Sequence, residues 1–487
     1  WDESTVGVAA NDSKTRTLTF STPTGHPPGA FRVQRYAIWN TREGMTHPGQ
    51  WYLDRVAKKL TYWPRADEDM SEVVVVAPTV EILIKAVGQS KARVAGITIR
   101  GITLSAGDAP LKPAGFGASK WDGVLHFTYA DRVTVDAVEV VNCGVWAIRE
   151  WAGKELSVTR SRLHHLGGGG IKFGSGAHIE GNEVHHIGLL SASAIGIMGG
   201  GVRAVVLKNV IYDNPYSGMC VSGTETVIEE NLIYRCMLVH HDGAAIYMGG
   251  GKRCIIRRNL ARDMAQVGSG YGVSAYYLDE KCQECVVSEN ISINIPHPSQ
   301  NHMTLNCELR DNVFIHDGDM KIAFSRCSGH TVTGNTFHVG GTLKIHEPEA
   351  ISVWKDNRIL SKTDAGGKIA DDVSREPFKP REKPRYLRPK PISPPPVIDG
   401  RMSPDEWPTG SISLNERTTQ RSVRGAPTSV KIHADDTHVY ILTNVVTMFP
   451  DQRKLGVQWG KDEGVELILE EKEGDASTVH VLRGFSD

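Results

Sequence analysis

From about residue 100 to residue 360 the chain is a succession of short runs in which apolar and polar residues alternate, each closed by Gly, Asn or Asp. The phrases VTRSRLHHLGGGGIKFG and IEGNEVHHIG repeat one motif, and weaker copies recur downstream. The fixed point of the motif is an Asn after two or three alternating apolar residues: Asn182, Asn209, Asn231, Asn259, Asn290, Asn312, Asn335 and Asn357, at steps of 27, 22, 28, 31, 22, 23 and 22. Ser161, 21 residues before Asn182, extends the series upstream. A base period near 22 holding three strand-like runs, as in TVIEEN, LIYRC and AAIYMG, predicts one coil of a parallel β-helix per repeat. A leucine-rich repeat has a similar period but needs a fixed leucine pattern, which is missing. The Asn markers read as structural, because side chains stacked at a coil corner tolerate left-handed backbone and hydrogen-bond along the stack. The expected class is all-β: a right-handed parallel β-helix with a β-rich N-terminal subdomain and a C-terminal β-sandwich.

The domain boundaries follow from where this pattern starts and stops. Residues 1–95 lack the period, and RTLTFSTP, GQWYLDRVAKKLTYWPR and EVVVVAPTVEILIKAVG predict a β-rich cap over the open end of the coils. The coils occupy 96–373, beginning with ITIRGITLSAG near Gly101. Residues 374–396, SREPFKPREKPRYLRPKPISPPP, form a Pro-rich, basic extended linker. In 397–487 the strands of SVKIHADDTHVYILTNV and GVELILE point to a separate sandwich. Steps longer than 22 are insertions, and loops inserted in a regular scaffold carry function. The two largest, containing CMLVHHDG before Asn259 and ARDMAQVGSGYG before Asn290, fall on neighbouring coils.

Composition narrows the partner. Lys plus Arg number 55 against 56 Asp plus Glu, a net charge of −1, which gives no electrostatic case for a nucleic acid or an anionic membrane. No apolar stretch is long enough to insert in a bilayer. The 50 glycines accord with many short strands. Eight cysteines in a chain of this length are not a disulfide scaffold, and the lone CxxC at Cys282 and Cys285 reads as buried thiols or one local disulfide ahead of zinc. No metal or cofactor is expected. Trp1 opens without a methionine, which implies a preceding piece, and secretion or export to a bacterial periplasm is the expected location.

Stacked coils place residues equally distant from their Asn markers in one column. Ten or eleven places before the markers stand Asp279 or Glu280, Asn301 or His302, Ser325 with Arg326, and His346 or Glu347; further upstream come Glu150 or Trp151, and Lys172. Asp279, directly after SAYYL, is the expected catalytic centre, since neighbours on a strand point to opposite faces. Glycosidase chemistry needs two carboxyl groups, one protonated for the leaving oxygen and one ionised as nucleophile or base. Asp242, which closes the loop CMLVHHDG one coil earlier, is the best second group, although by phase it stands about seven residues from the Asp279 column and must rely on its loop curling back. His240 and His241 read equally as site residues and as exposed loop histidines. Tyr247, Tyr276, Tyr277 and Trp151 offer faces for sugar stacking, half of which must point inward by alternation. Glu280, His302, Arg326, His346 and Lys172 complete the candidate substrate contacts. The pairs His164/His165 and His185/His186 recur at the coil period and read as a stacked ladder.

These phrases also carry a resemblance. YAIWNTREGMTHPGQWYLDRVAKKLTYWPR, GITIRGITL, NEVHHIG, HHDGAAIYMGGG, GYGVSAYYLDE and QNHMTLNCELRDNVF, spanning roughly residues 1–360, resemble bacterial right-handed β-helix glycosidases, most nearly glycoside hydrolase family 141. The resemblance implies α-L-fucosidase- or xylanase-type activity on plant or algal polysaccharide, with the acid before AIY and the acid in YLD as the catalytic pair, Asp242 and Asp279 here. HHDGAAIYMGGG departs from the pattern in lacking the longer polar run after AIY. The tail from Val397, with IDG…EW and DDTHVYI, resembles the start of a carbohydrate-binding family 9-like sandwich that stops short at Asp487. Two other readings remain open: a polysaccharide lyase using Lys172, Lys321 or Arg326 on uronic acids, and a non-catalytic glycan-binding protein.

Overall fold

The computed structural model describes residues 3–30, 36–264 and 271–361, and six strands beyond them. The chain divides into two compact units, Trp1–Pro384 and Arg385–Asp487. The first is built on three parallel sheets of eleven strands each, so that eleven coils wind one above another. In a representative coil, Val205–Leu207 lies in the first sheet, Val210–Tyr212 in the second and Met219–Val221 in the third. Each strand pairs with its counterpart one coil away, for example Val206 with Ile179 and Ile228. Central strand residues point inward and stack by type: Val135, Val158, Ile179, Val206, Ile228 and Ile256 on one wall, Val140, Leu163, Val184, Ile211 and Ile233 on the next, all fully buried. That alternation of one inward and two outward residues is the pattern seen in the sequence, and burying each inward Val or Ile contributes about 1.5–3 kcal/mol.

The Asn markers form a continuous buried ladder between the first and second sheets. The side-chain amide of each donates to the side-chain oxygen of the next, from Asn182 to Asn209 (2.9 Å) through Asn335 to Asn357 (2.9 Å). The same oxygen also accepts the backbone N–H of the preceding marker, as Asn259 does from Asn231 at 3.0 Å. Ser161 joins by donating its N–H to Asn182 Oδ1. One expectation is corrected: the left-handed residue at this corner is the one before Ser161 and before each Asn, namely Arg160, Gly181, Lys208, Glu230, Arg258, Glu289, Asp311, Gly334 and Asp356. A positive φ there closes a two-residue turn and frees Asn for the ladder. Non-glycine side chains at most of these positions cost about 1–2 kcal/mol each, against which the shared amide bonds are set.

Coil boundaries differ slightly from expectation. Ile84–Val87 already pairs with Gly123–Thr128 in the third sheet, so the first coil starts before residue 96. Ahead of it lie two separate hairpins, Val8–Asp12 with Thr17–Phe20 and Trp51–Asp54 with Lys59–Tyr62. The last coil strand is Arg358–Ser361. The expected linker at 374–396, apart from Lys390 and Pro391, lies outside the described residues. In the second unit, Thr428–Ala434 pairs antiparallel with Val439–Val445, and Gly464–Glu473 with Ala476–Phe485; IDG and EW fall outside the described residues.

All three long steps of the repeat lengthen the same corner, between the second and third sheets: His186–Gly196, Arg235–Asp242 and Asp263–Gly272, of which 265–270 are not described. The cysteines are free thiols. The His pairs stack as expected, His164 on His185 at 4.9 Å and His165 on His186 at 5.0 Å, and the stack continues through Tyr212 to Tyr234. Among the described residues no helix is long and apolar enough to cross a membrane.

Candidate active site

The third sheet carries the candidate site on its outer face. Its register aligns Arg149 with Lys172, Lys172 with Met198, Met198 with Cys220, Cys220 with Tyr247, and Tyr247 with Tyr277 and then Gln300. Two residues further along each strand runs a second outward row: Trp151, Gly174, Gly200, Ser222, Gly249, Asp279, His302 and Ser325. Gly249 stands beside Asp279, and His302 beside Ser325. Between Trp151 and Asp279 the row thus holds only glycine and serine. The result is a cleft of ≈ 350 Å³ lined by Glu150, Trp151, Lys172, Met198, Cys220 and Tyr247, with Gly174, Gly200, Ser222 and Gly249 as its floor. At about 4.8 Å per coil, five coils from Trp151 to Asp279 span about 24 Å.

Asp279 ends the strand Val273–Asp279, as its place after SAYYL predicts. Its carboxylate accepts hydrogen bonds from the Tyr247 hydroxyl on Oδ2 at 2.6 Å and from the backbone N–H of Glu280 on Oδ1 at 2.8 Å, and His302 Nδ1 lies 2.8 Å from Oδ1. Tyr247 and Tyr277 meet edge to face at 4.9 Å. Burial first, then the hydrogen bond to Asp279 and its charge, raise the Tyr247 hydroxyl far above the ordinary phenol range, so Tyr247 stays a donor. Cys220, one coil back, is pushed up to about 12 by burial and by the charge of Asp279.

Asp242 stands at the opposite end of the neighbouring strand, just before Gly243–Gly249, in left-handed backbone with φ 60°. Its N–H donates to Gly272 O at 2.8 Å, and its own carbonyl accepts the Tyr216 hydroxyl at 2.8 Å. The strand register alone keeps it from the Asp279 column, as the phase count says. Both carboxylates nevertheless act on the same two phenols: burial, followed by the charges of Asp242 and Asp279, raises Tyr216 and Tyr277. Tyr277, only 4 % exposed, has Asp279 and Gln300 as hydrogen-bonding neighbours. His240 packs edge-on against the Tyr216 ring at 5.5 Å, and His241 Nδ1 is buried without a hydrogen-bond partner.

Other candidates are placed differently. Tyr276 points inward, its hydroxyl donating to the carbonyls of Asn259 and Ile291. Glu280 is exposed, one residue past the strand end. Arg326 is not in the Asp279 column: it follows Ser325 in left-handed backbone, where its N–H donates to Glu347 Oε2 at 2.7 Å. His346 aligns with Ala323 in the row of Tyr277 and Gln300, two places from Asp279, and pairs with Glu347. The count places Ser325 correctly and Arg326 merely follows it, whereas His346 is displaced because a constant count from the Asn marker ignores a two-residue difference in the turn after the third sheet. Trp151 and Lys172 do line the cleft. Trp151 is 55 % exposed, with Lys172 Nζ and Arg149 Cζ each 6.0 Å from its ring. Lys172 donates to Ser119 O at 3.0 Å and is held down at about 8 by burial and by the charge of Arg149.

Glu150 was passed over in favour of Trp151 by the sequence argument. It is 3 % exposed and accepts the Gly174 N–H on Oε2 at 2.9 Å, while Oε1 lies against the backbone of Gly153. Burial raises its carboxyl to about 6 against the stabilising amides of Gly174 and Gly153. An isolated acid in an upstream strand gives no signal of this; only the close approach of two glycine backbones does. Among the described residues no three His, Cys, Asp or Glu side chains come together as a metal site.

A family model described as a right handed beta helix region matches residues 144–306. No curated protein matches the chain in sequence. Among solved structures the chain is similar to one titled a glycoside hydrolase, with 17% identity, a TM-score of 0.48, and cover of 66% of this chain and 58% of that one. It is also similar to an alginate lyase from Paenibacillus sp. (16% identity, TM-score 0.34, 54% of this chain and 86% of that one). A third is a GH136 lacto-N-biosidase from Eubacterium ramulus, with 13% identity, a TM-score of 0.37, and cover of 58% and 61%. The chain therefore spans 58% of the length of the first of these. The family match and the three stacked parallel sheets together identify the chain as a right-handed parallel β-helix protein.

Proposed function

We propose that this protein is a glycoside hydrolase that uses Asp242 and Asp279 on plant or algal cell-wall glycan, with the α-L-fucoside or xylan-type linkages implied by its resemblance to glycoside hydrolase family 141. The observation that carries the reading is that Asp279 stands next to Gly249 in the row that floors the cleft while Asp242 immediately precedes the neighbouring strand, the charges of both acids raising the Tyr216 and Tyr277 phenols. Asp279, the acceptor of hydrogen bonds from Tyr247 and Glu280, serves as the ionised partner, nucleophile or base, and His302 holds its orientation. Asp242 serves as the acid that protonates the leaving oxygen. The exposed ring of Trp151 supplies a face on which a pyranose can stack. The tail from Val397 is a glycan-binding sandwich in this reading, and the protein is secreted or periplasmic.

The test is turnover on a panel of aryl glycosides and cell-wall oligosaccharides. Asp279→Asn and Asp242→Asn are each expected to lower kcat by roughly a thousandfold or more while the melting temperature stays near that of the unmodified protein. Retention of activity in both variants refutes the assignment. A second reading, β-elimination from a uronic acid, is favoured by one observation: Lys172 stands in the cleft held at about 8, near the range of a useful general base. Unsaturated, ultraviolet-absorbing products in place of a new reducing end without unsaturation would establish that chemistry and displace hydrolysis.

A further inference from the structure

The near-neutral balance of the whole chain conceals a local excess of positive charge at the upstream end of the cleft. Arg149 and Lys172 are direct cross-strand neighbours, an arrangement that repels and destabilises a sheet unless something compensates it. Compensation is thin: among the described residues Lys172 has no ion pair, and Arg149 has a long one with Asp122. Lys172 Nζ is bonded to a carbonyl, Ser119 O. Arg149 is only 16 % exposed, its Nε is buried without a hydrogen-bond partner, and Asp122 approaches its guanidinium no nearer than 3.7 Å. Asp122 is also shared with Lys112 at 3.7 Å and His126 at 3.3 Å. Glu150, the acid nearest in sequence, is taken up by the backbone of Gly174 and Gly153. Burying a guanidinium beside an ammonium, with one distant carboxylate that is shared with Lys112, is expensive, and the exposed Trp151 ring lies against both.

From this arrangement we infer that Arg149, Trp151 and Lys172 form a subsite for an anionic sugar, one bearing a carboxylate or a sulfate ester, with the ring on Trp151 and the acid group on the two cations. The inference rests on the reading that the cleft takes a glycan, and it names that glycan's class. Lys172 and Asp279 are four coils apart, about 19 Å, so the subsite recognises a residue of the chain well away from the bond that is cut. The glycine floor between them leaves the path open for the intervening sugars.

Calorimetric binding to the full-length Asp279→Asn protein separates recognition from turnover. The probes are hexagalacturonate, its fully methyl-esterified form, which has the same backbone without charge, and a sulfated galactan hexasaccharide. At least one acidic probe should bind roughly ten-fold or more tightly than the ester, as a charge-assisted hydrogen bond implies. Carboxylate or sulfate is then identified by which acidic probe is preferred. Adding Lys172→Gln should remove most of the gap, and Trp151→Ala should weaken all probes that bind. On the unmodified cations, rising salt should weaken the acidic probe and leave the ester unchanged, a measurement that holds even if the Lys172 variant does not fold. Equal affinity for acid and ester, a gap that survives Lys172→Gln, binding of none of the three, or an affinity for the acid indifferent to salt overturns the subsite. Elimination products lost in Lys172→Gln also overturn it, by making Lys172 the base. Asp279-dependent hydrolysis without an acid preference leaves the hydrolase standing and the subsite fallen; acid preference without hydrolysis gives the reverse.

Discussion

Replacing Glu150 with Gln isolates the energetic cost of a buried acid in the wall of the cleft. Its folded carboxyl titrates at about 6 against an ordinary 4.5, because burial disfavours the charge more than the Gly174 and Gly153 amides favour it. A carboxyl raised in this way contributes stability that is fully present below about pH 4.5 and lost as the pH climbs through about 6. At 1.36 kcal/mol per pH unit, the loss is about 2 kcal/mol. Gln keeps an acceptor for the Gly174 N–H and cannot ionise, so Glu150→Gln should be free of this loss. In a cooperative unit approaching 400 residues, unfolding entropy is near 0.8 kcal/mol/K, and about 2 kcal/mol moves Tm by only ~2–3 °C. Thermal melts of both proteins in matched buffers from about pH 4 to 7.5 should therefore show the unmodified protein losing ~2–3 °C against the variant over that range. Parallel curves, or a gain by the unmodified protein as pH rises, would refute the reasoning, since either means that Glu150 ionises without cost.

Three further outcomes follow from the same geometry. Asn231→Ala removes donors to Val206 O, Glu229 O and Asn259 Oδ1 and strands the amides of Asn209; a loss on the order of 3–5 kcal/mol is expected, read as a lower urea midpoint at unchanged slope. Gly249→Leu should fold, because a Cβ there meets nothing nearer than Tyr247 Cε1 at 3.4 Å, yet it fills the floor beside Asp279; kcat/KM on oligosaccharides should fall at least roughly tenfold, about 1.4 kcal/mol, with Tm little changed, and unimpaired turnover would place the substrate elsewhere. Tyr247→Phe deletes the 2.6 Å donor to Asp279; kcat/KM should drop about ten- to a hundredfold, and an unaltered pH–rate profile would remove Tyr247 from the machinery.

The coils were legible because their determinants are local and repeat. An inward Val or Ile and an Asn at the corner recur in every turn, and each has one physical reason for its place. Asp279 was legible for the same reason: it ends a strand whose phase is known. His346 lies outside the column because phase is counted along the chain while columns form in space, and a turn of different length shifts one against the other; Arg326 lies outside it because the column residue is its neighbour Ser325. That the charges of Asp242 and Asp279 both raise Tyr216 and Tyr277 was not readable from spacing, since it depends on where the two tyrosine side chains lie. Glu150 was hidden more completely. What sets its carboxyl apart is two glycine backbones brought in from later positions, and nothing in WAIREW announces them.

The corner with the Asn ladder and the corner with the long loops obey different rules of length. At the ladder, one added residue would break a hydrogen bond on each side and throw every later coil out of step, so that corner keeps count. At the corner between the second and third sheets the described residues show no such chain of amides, and the coil takes on five, six or nine extra residues beyond its period of 22 without losing register. The two longer insertions lead into Gly243–Gly249, which Asp242 immediately precedes, and into Val273–Asp279. Such a scaffold can exchange one rim of its cleft for another while its core goes on being wound to the same measure, and new specificities can be sampled there at little cost to folding.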